Sequence, residues 1–102
     1  MSVLEIARIR SKPSRGDEFL GALQRGLAVQ GADPECSAIH IQRGVEDPDD
    51  FLLNLVWTSI EAHNNWRAAH RDEWRAHISE LMDGTPQLLG HYRVVDHVKK
   101  AS

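Results

Sequence analysis

Between Trp57 and Leu81 the chain reads WTSIEAHNNWRAAHRDEWRAHISEL. At about 100° per residue of an α-helix, His63, Trp66, His70, Trp74, His77 and Leu81 fall on one stripe roughly 80° wide. A core-facing stripe is ordinarily filled by Leu, Ile and Ala. Here it carries imidazoles, which exchange protons near neutral pH, and indoles, which pair an apolar body with one N–H donor. Over an enclosed hollow, a neutral imidazole could accept the proton of a phenol. His70 is the expected base, with His77 as the alternative, and Trp66 and Trp74 are expected to line the substrate.

His63, His70 and His77 recur every seven residues, which spaces them by about 10 Å along a helix at roughly 1.5 Å per residue. Helical ligands of one zinc ion usually sit four residues apart, so these three do not form a mononuclear site and no metal is expected. His63, near the helix start, reads as structural. His40 and His91 lie on strand-like segments and could line a pocket or an outer surface. Asn54 interrupts an apolar run and must hydrogen-bond something; a backbone group and a substrate oxygen are both open to it. His40 and Asn54 are both expected to contact substrate. Arg67, Arg71 and Arg75 read as a solvated helix face, Trp57 as packing at a strand end, and Cys36 as a small buried residue.

These side chains need elements to hold them. Val3–Arg10 alternates as a first strand, with Leu4 and Ile6 on one side and Ala7 and Ile9 on the other. Asp17 opens an amphipathic helix with Phe19, Leu20, Leu23 and Leu27 inward, ending at Gly31. Cys36–Arg43 is a second strand, and Asp47-Pro48-Asp49 turns the chain. Phe51–Trp57 is apolar enough to be a strand buried on both faces. Ser59 is a natural N-cap for the long second helix, which could be interrupted near Ala69–Asp72 and ends by Asp83-Gly84 ahead of Pro86. Leu88–Val98 alternates as a last strand. The order β-α-β-β-α-β is the ferredoxin-like, split βαβ arrangement: an α+β domain with an antiparallel four-stranded sheet and both helices on one face. The other sheet face then needs a cover, and a second copy of the chain is the simplest one.

At 102 residues the chain fits one domain with one core, from about residue 3 to 97, and a short tail. Twelve basic against 15 acidic residues, net −3 with no basic run, leave no electrostatic footprint for nucleic acid. No apolar stretch is long enough to span a membrane, and MSVLEIARIR lacks a signal-peptide layout. A single cysteine forms no internal disulfide, which suits a reducing cytoplasm.

The strand end Trp57 followed by Thr-Ser-Ile-Glu-Ala-His resembles the W-x-S-x-E-A-[FH] signature of antibiotic biosynthesis monooxygenase (ABM) domains, and element order and length fit that family over about residues 3–97. The resemblance implies a homodimer whose two sheets form a shared α/β barrel, and a pocket between each sheet and its helices. It further implies cofactor-independent oxygenation of a small aromatic, quinol-like or polyketide-derived compound. In the quinol-oxidising branch a His follows the strand-end Trp at about the spacing of His70. In polyketide-tailoring members an Asn stands where this chain has Leu53, with Asn54 displaced by one and hence on the opposite strand face. A heme-degrading branch offers an alternative, with Trp66 against the porphyrin and His77 as axial ligand, although that branch carries an Asn where this chain has Ala7. A third reading is a non-catalytic dimer that binds small apolar ligands.

Overall fold

In the computed structural model, which describes residues 2–101, the order is β1 (Val3–Arg10), α1 (Gly16–Gly31), β2 (Cys36–Arg43), β3 (Asp50–Trp57), α2 (Ile60–Ile78) and β4 (Gln87–Tyr92). The strands form one antiparallel sheet in the order β2-β3-β1-β4. Period-2 alternation decides the faces: Phe51, Leu53, Leu55 and Trp57 of β3, with Ala7 and Ile9 of β1, point to the helices and are buried. Phe19, Ala22, Leu23 and Leu27 of α1 and Trp66, Trp74 and Ile78 of α2 complete the same core. Each fully buried Leu or Phe there contributes on the order of 1.5–3 kcal/mol relative to exposure. The ferredoxin-like expectation therefore holds for the chain.

Ser59 caps α2 as its sequence implies, its Oγ accepting from Ala62 N–H at 3.0 Å. The helix runs unbroken through Ala69–Asp72 but stops at Ile78, five residues short of Asp83. Long-range pairing takes over from there: Lys12 N–H donates to Leu81 O, Asp83 N–H donates to Arg10 O, and Ser11 forms a bridge with Met82. β4 stops at Tyr92, opposite Leu4, instead of continuing to Val98. β1 has almost run out there, since only Val3 of that strand precedes Leu4. Among the described residues no helix is long and apolar enough to cross a membrane.

One irregularity matters for the site. β4 pairs Leu88 with Ala7 but Gly90 with Ile6, so Leu89 is an extra residue in the ladder. Gly90 sits at φ 149°, a conformation that glycine adopts without strain. As a result Leu88 and His91, three residues apart, are both paired with inward-facing residues of β1, Ala7 and Glu5.

Candidate functional site

Glu5 is the one acidic residue on the inner face of β1, in register between Leu55 of β3 and His91 of β4. Its side chain is 12 % exposed. Oε1 accepts from Trp57 Nε1–H at 2.9 Å and lies 3.1 Å from His63 Nε2. The other ring nitrogen of His63, Nδ1, is 2.7 Å from His91 Nε2. His63 is held flat against Trp57, with ring centroids 5.2 Å apart and planes 24° from parallel. Carboxylate, imidazole and imidazole thus form a line from the core to the sheet edge. It is a chain, not a converging ligand set, and among the described residues no group of three or more His, Cys, Asp and Glu side chains could hold a metal ion.

Burial governs the protonation of this chain. His63, 2 % exposed, has its pKa pulled down to about 4, first by desolvation and then by His91 and Arg67. It is therefore a neutral imidazole at pH 7. Desolvation pushes the Glu5 carboxyl above its ordinary range, against the opposing effects of Trp57 N–H and of Arg67. One set of tautomers then satisfies the line: with Glu5 ionised, His63 Nε2–H donates to it and His63 Nδ1 accepts from His91 Nε2–H. With the proton on Glu5 Oε1, both bonds reverse direction.

Beside this line, between α2 and the sheet, lies a cavity of about 80 Å³. Ala7, Leu53, Leu55 and Leu88 form its apolar floor, and Trp66 and Trp74 its roof, with Gln30 from α1. Glu5 and His63 lie in its wall, while Arg67, Arg71, Arg75 and Pro86 complete it. Four buried polar atoms have no hydrogen-bond partner among the described residues: Gln30 Oε1, Trp66 Nε1, Trp74 Nε1 and Arg75 Nε. All four belong to residues lining this cavity. Buried donors and acceptors are ordinarily paired, so this concentration marks the cavity as a place for a polar-edged guest. Trp74 owes its seat to Gly26 of α1, where a Cβ would lie 3.2 Å from the indole Cδ1.

Of the six residues expected to act on or contact substrate (His40, Asn54, Trp66, His70, Trp74 and His77), only Trp66 and Trp74 line the cavity. His70 is half-buried outside it, in a notch lined by Val29, Ala32, Pro34 and Trp66, with Nδ1 3.2 Å from Glu73. The notch lies at the C-terminal end of α1, between its last turn and α2. His77 is exposed, beside Gly26 on the flank of α1. His40 and Asn54 are cross-strand partners on the opposite face of the sheet, and Asn54 Nδ2–H donates to Gln42 Oε1. The residues that do meet, Glu5, His63 and His91, were legible only in part: a lone acid alternating with Ala7 and Ile9 on an inner strand face was the available signal for Glu5.

A porphyrin does not fit these residues. Trp66 lines the cavity and His77 lies outside it, so the two do not converge, and 80 Å³ is far below the roughly 300–1,000 Å³ of pockets that hold drug-sized ligands.

Similar structures repeat this fold. A protein of Bordetella bronchiseptica assigned to the antibiotic biosynthesis monooxygenases superposes with a TM-score of 0.84 at 25% identity, over 92% of this chain and 97% of its own. A Nitrosomonas europaea protein with the same assignment gives 0.77 at 17%, over 92% and 90%. SnoaB, a cofactor-independent oxygenase from Streptomyces nogalater, gives 0.78 at 16%, over 97% and 98%. No curated protein matches the chain in sequence. Residues 2–80, which include Glu5, His63, all three tryptophans and the helix that roofs the cavity, match the family described as "Antibiotic biosynthesis monooxygenase", and the chain belongs to that family.

Proposed function

We propose that this protein oxygenates a small hydroxyaromatic compound with dioxygen and without a bound cofactor. The observation that carries the reading is a buried carboxylate–imidazole–imidazole line opening on a cavity whose indole and amide groups lack partners. Glu5 takes the phenolic proton: its contacts to Trp57 and His63 both fall on Oε1, and a carboxylate of raised pKa is the stronger base. His63 orients Glu5 and links it to His91. Trp66 Nε1–H is the donor available to a ring oxygen. The electron-rich phenolate then reduces dioxygen; for a hydroquinone the balance is quinol plus O2 to hydroxyquinone plus water, with the substrate supplying all four electrons. The likeness to SnoaB in fold is consistent with that chemistry.

Size selects among substrates. A cavity of roughly 150 Å³ is needed to enclose benzene, and this one measures about 80 Å³. Only the hydroxyl-bearing edge of a single ring enters, and the rest stays at the mouth. Quinol-like compounds are therefore favoured over three-ring polyketides. Oxygen uptake with a panel of hydroquinones and anthrones, run aerobically and anaerobically, tests the reading: turnover is expected on hydroquinones. No oxygen-dependent turnover on any of them removes it, and tight hydroquinone binding without oxygen uptake would make the protein a ligand carrier.

The outer sheet face supports a homodimer. Leu4, Ile6 and Val56 are only half-buried there, with Leu52 and Tyr92 exposed. Light scattering should give twice the protomer mass for the native chain and the protomer mass for Val56→Asp; a monomeric native chain sinks the dimer.

A further inference from the structure

Four arginines of this chain, Arg8, Arg10, Arg15 and Arg43, each hold a carboxylate at 2.6–2.8 Å. The three at the cavity do not. Arg67 and Arg75 have no ion pair within 4 Å among the described residues, and Arg71 has only a long 3.9 Å contact to the almost fully exposed Asp72. They stand on successive turns of α2, four residues apart, so their side chains share one face of the helix. All three line the cavity, and Arg67 and Arg71 also line an open depression on the outer side of α2, which puts them at the threshold between cavity and solvent. Arg75 Nε is buried without a partner.

Arg67 and Arg71 are exposed, so water serves them at rest, whereas a buried guanidinium N–H such as Arg75 Nε is costly to leave unpaired unless something anionic satisfies it in the working state. Arg67 has one anion to serve, since it lies close enough to Glu5 and His63 to perturb both. Arg71 and Arg75 have none inside the cavity. We infer that they bind a carboxylate on the substrate, so that the compound oxidised is a hydroxyaromatic acid: its hydroxyl edge reaches Glu5 and Trp66, and its carboxylate remains at the arginine-lined mouth. This rests on the oxygenase reading for the word "oxidised" but not for the anion site itself. It also accounts for a cavity too small to enclose a ring, because the charged end is meant to stay outside.

The test is binding under anaerobic conditions, followed by tryptophan fluorescence, for 2,5-dihydroxybenzoate against its methyl ester. The acid is expected to bind tighter by about tenfold or more, the scale of one charge-assisted hydrogen bond. Arg71→Gln and Arg75→Gln should abolish that preference. Arg25→Gln, on the exposed side of α1, removes the same charge elsewhere and should retain it; an unchanged emission maximum reports an intact roof. Equal binding of acid and ester, or a preference lost equally in Arg25→Gln, overturns the inference even if oxygen is consumed. A preference for the acid with no oxygen uptake on readmitting air upholds the anion site and removes the oxygenase reading instead.

Discussion

Replacing His63 by Gln exposes how burial sets its charge. In the unfolded chain this imidazole titrates near 6.5, and in the folded protein near 4. Between those values the unfolded state holds a proton that the folded state refuses, so native stability falls as pH drops through the window. Integrated from pH 7 to pH 4, a separation of that size is worth about 3 kcal/mol, at 1.36 kcal/mol per unit. The side chain is 3 % exposed, so solvent screens little of it. Glutamine does not titrate, and its variant lacks this term. Whatever offset separates the two proteins at pH 7, the balance should shift toward His63→Gln by about 3 kcal/mol at pH 4. Urea denaturation at half-unit steps and one fixed protein concentration measures it. Parallel stability–pH curves would refute the reasoning, as would a His63 ring resonance titrating near 6.5 in the native protein, an NMR measurement that needs no variant.

Glu5→Gln keeps the shape and the contact to Trp57 but removes the base, and should lower kcat by about 10²–10⁴-fold, read by oxygen uptake; native-like turnover would exclude Glu5 as the proton acceptor. Trp66→Phe keeps most of the packing and deletes the unpartnered N–H, so hydroquinone affinity should fall about tenfold in anaerobic titration followed by the absorbance of the ligand. Ser59→Ala removes the cap of α2 and should cost about 1 kcal/mol in urea unfolding.

The frame of this protein is written locally and its site is not. The bounds of β1 and β2 follow from alternation, and the Ser59 cap from a side chain acting three residues away. Of the stripe expected on α2, His63, Trp66 and Trp74 line the cavity, His70 and His77 do not, and Leu81 lies past the end of the helix. Helical phase says which residues share a side, not how fully a second element covers it; His70 lies in a notch at the last turn of α1, lined by Val29 of the helix and by Ala32 and Pro34 beyond it. His63 looked structural because the helix start gives no hint of Glu5, 58 positions earlier in the chain, or of His91, 28 later. Their meeting depends on cross-strand register, which no window of adjacent residues contains. The early stop of α2 has the same origin, in backbone pairing with Arg10, Ser11 and Lys12.

The extra residue at Leu89 has an outcome that reaches past packing. By parity alone, a strand that faces Leu88 inward would turn His91 to the other side. The insertion reverses that parity for the last turnful of chain, at an edge where the core is indifferent to one residue more or less. Deleting Leu89 would close the ladder without the bulge: Leu88 stays opposite Ala7, Gly90 opposite Ile6 and His91 opposite Glu5, so the proton line keeps its exit and only the local kink is lost. The bulge is thus a tolerance device: one residue more at the sheet margin is absorbed as a kink, and the line from Glu5 to His91 outlasts the insertion.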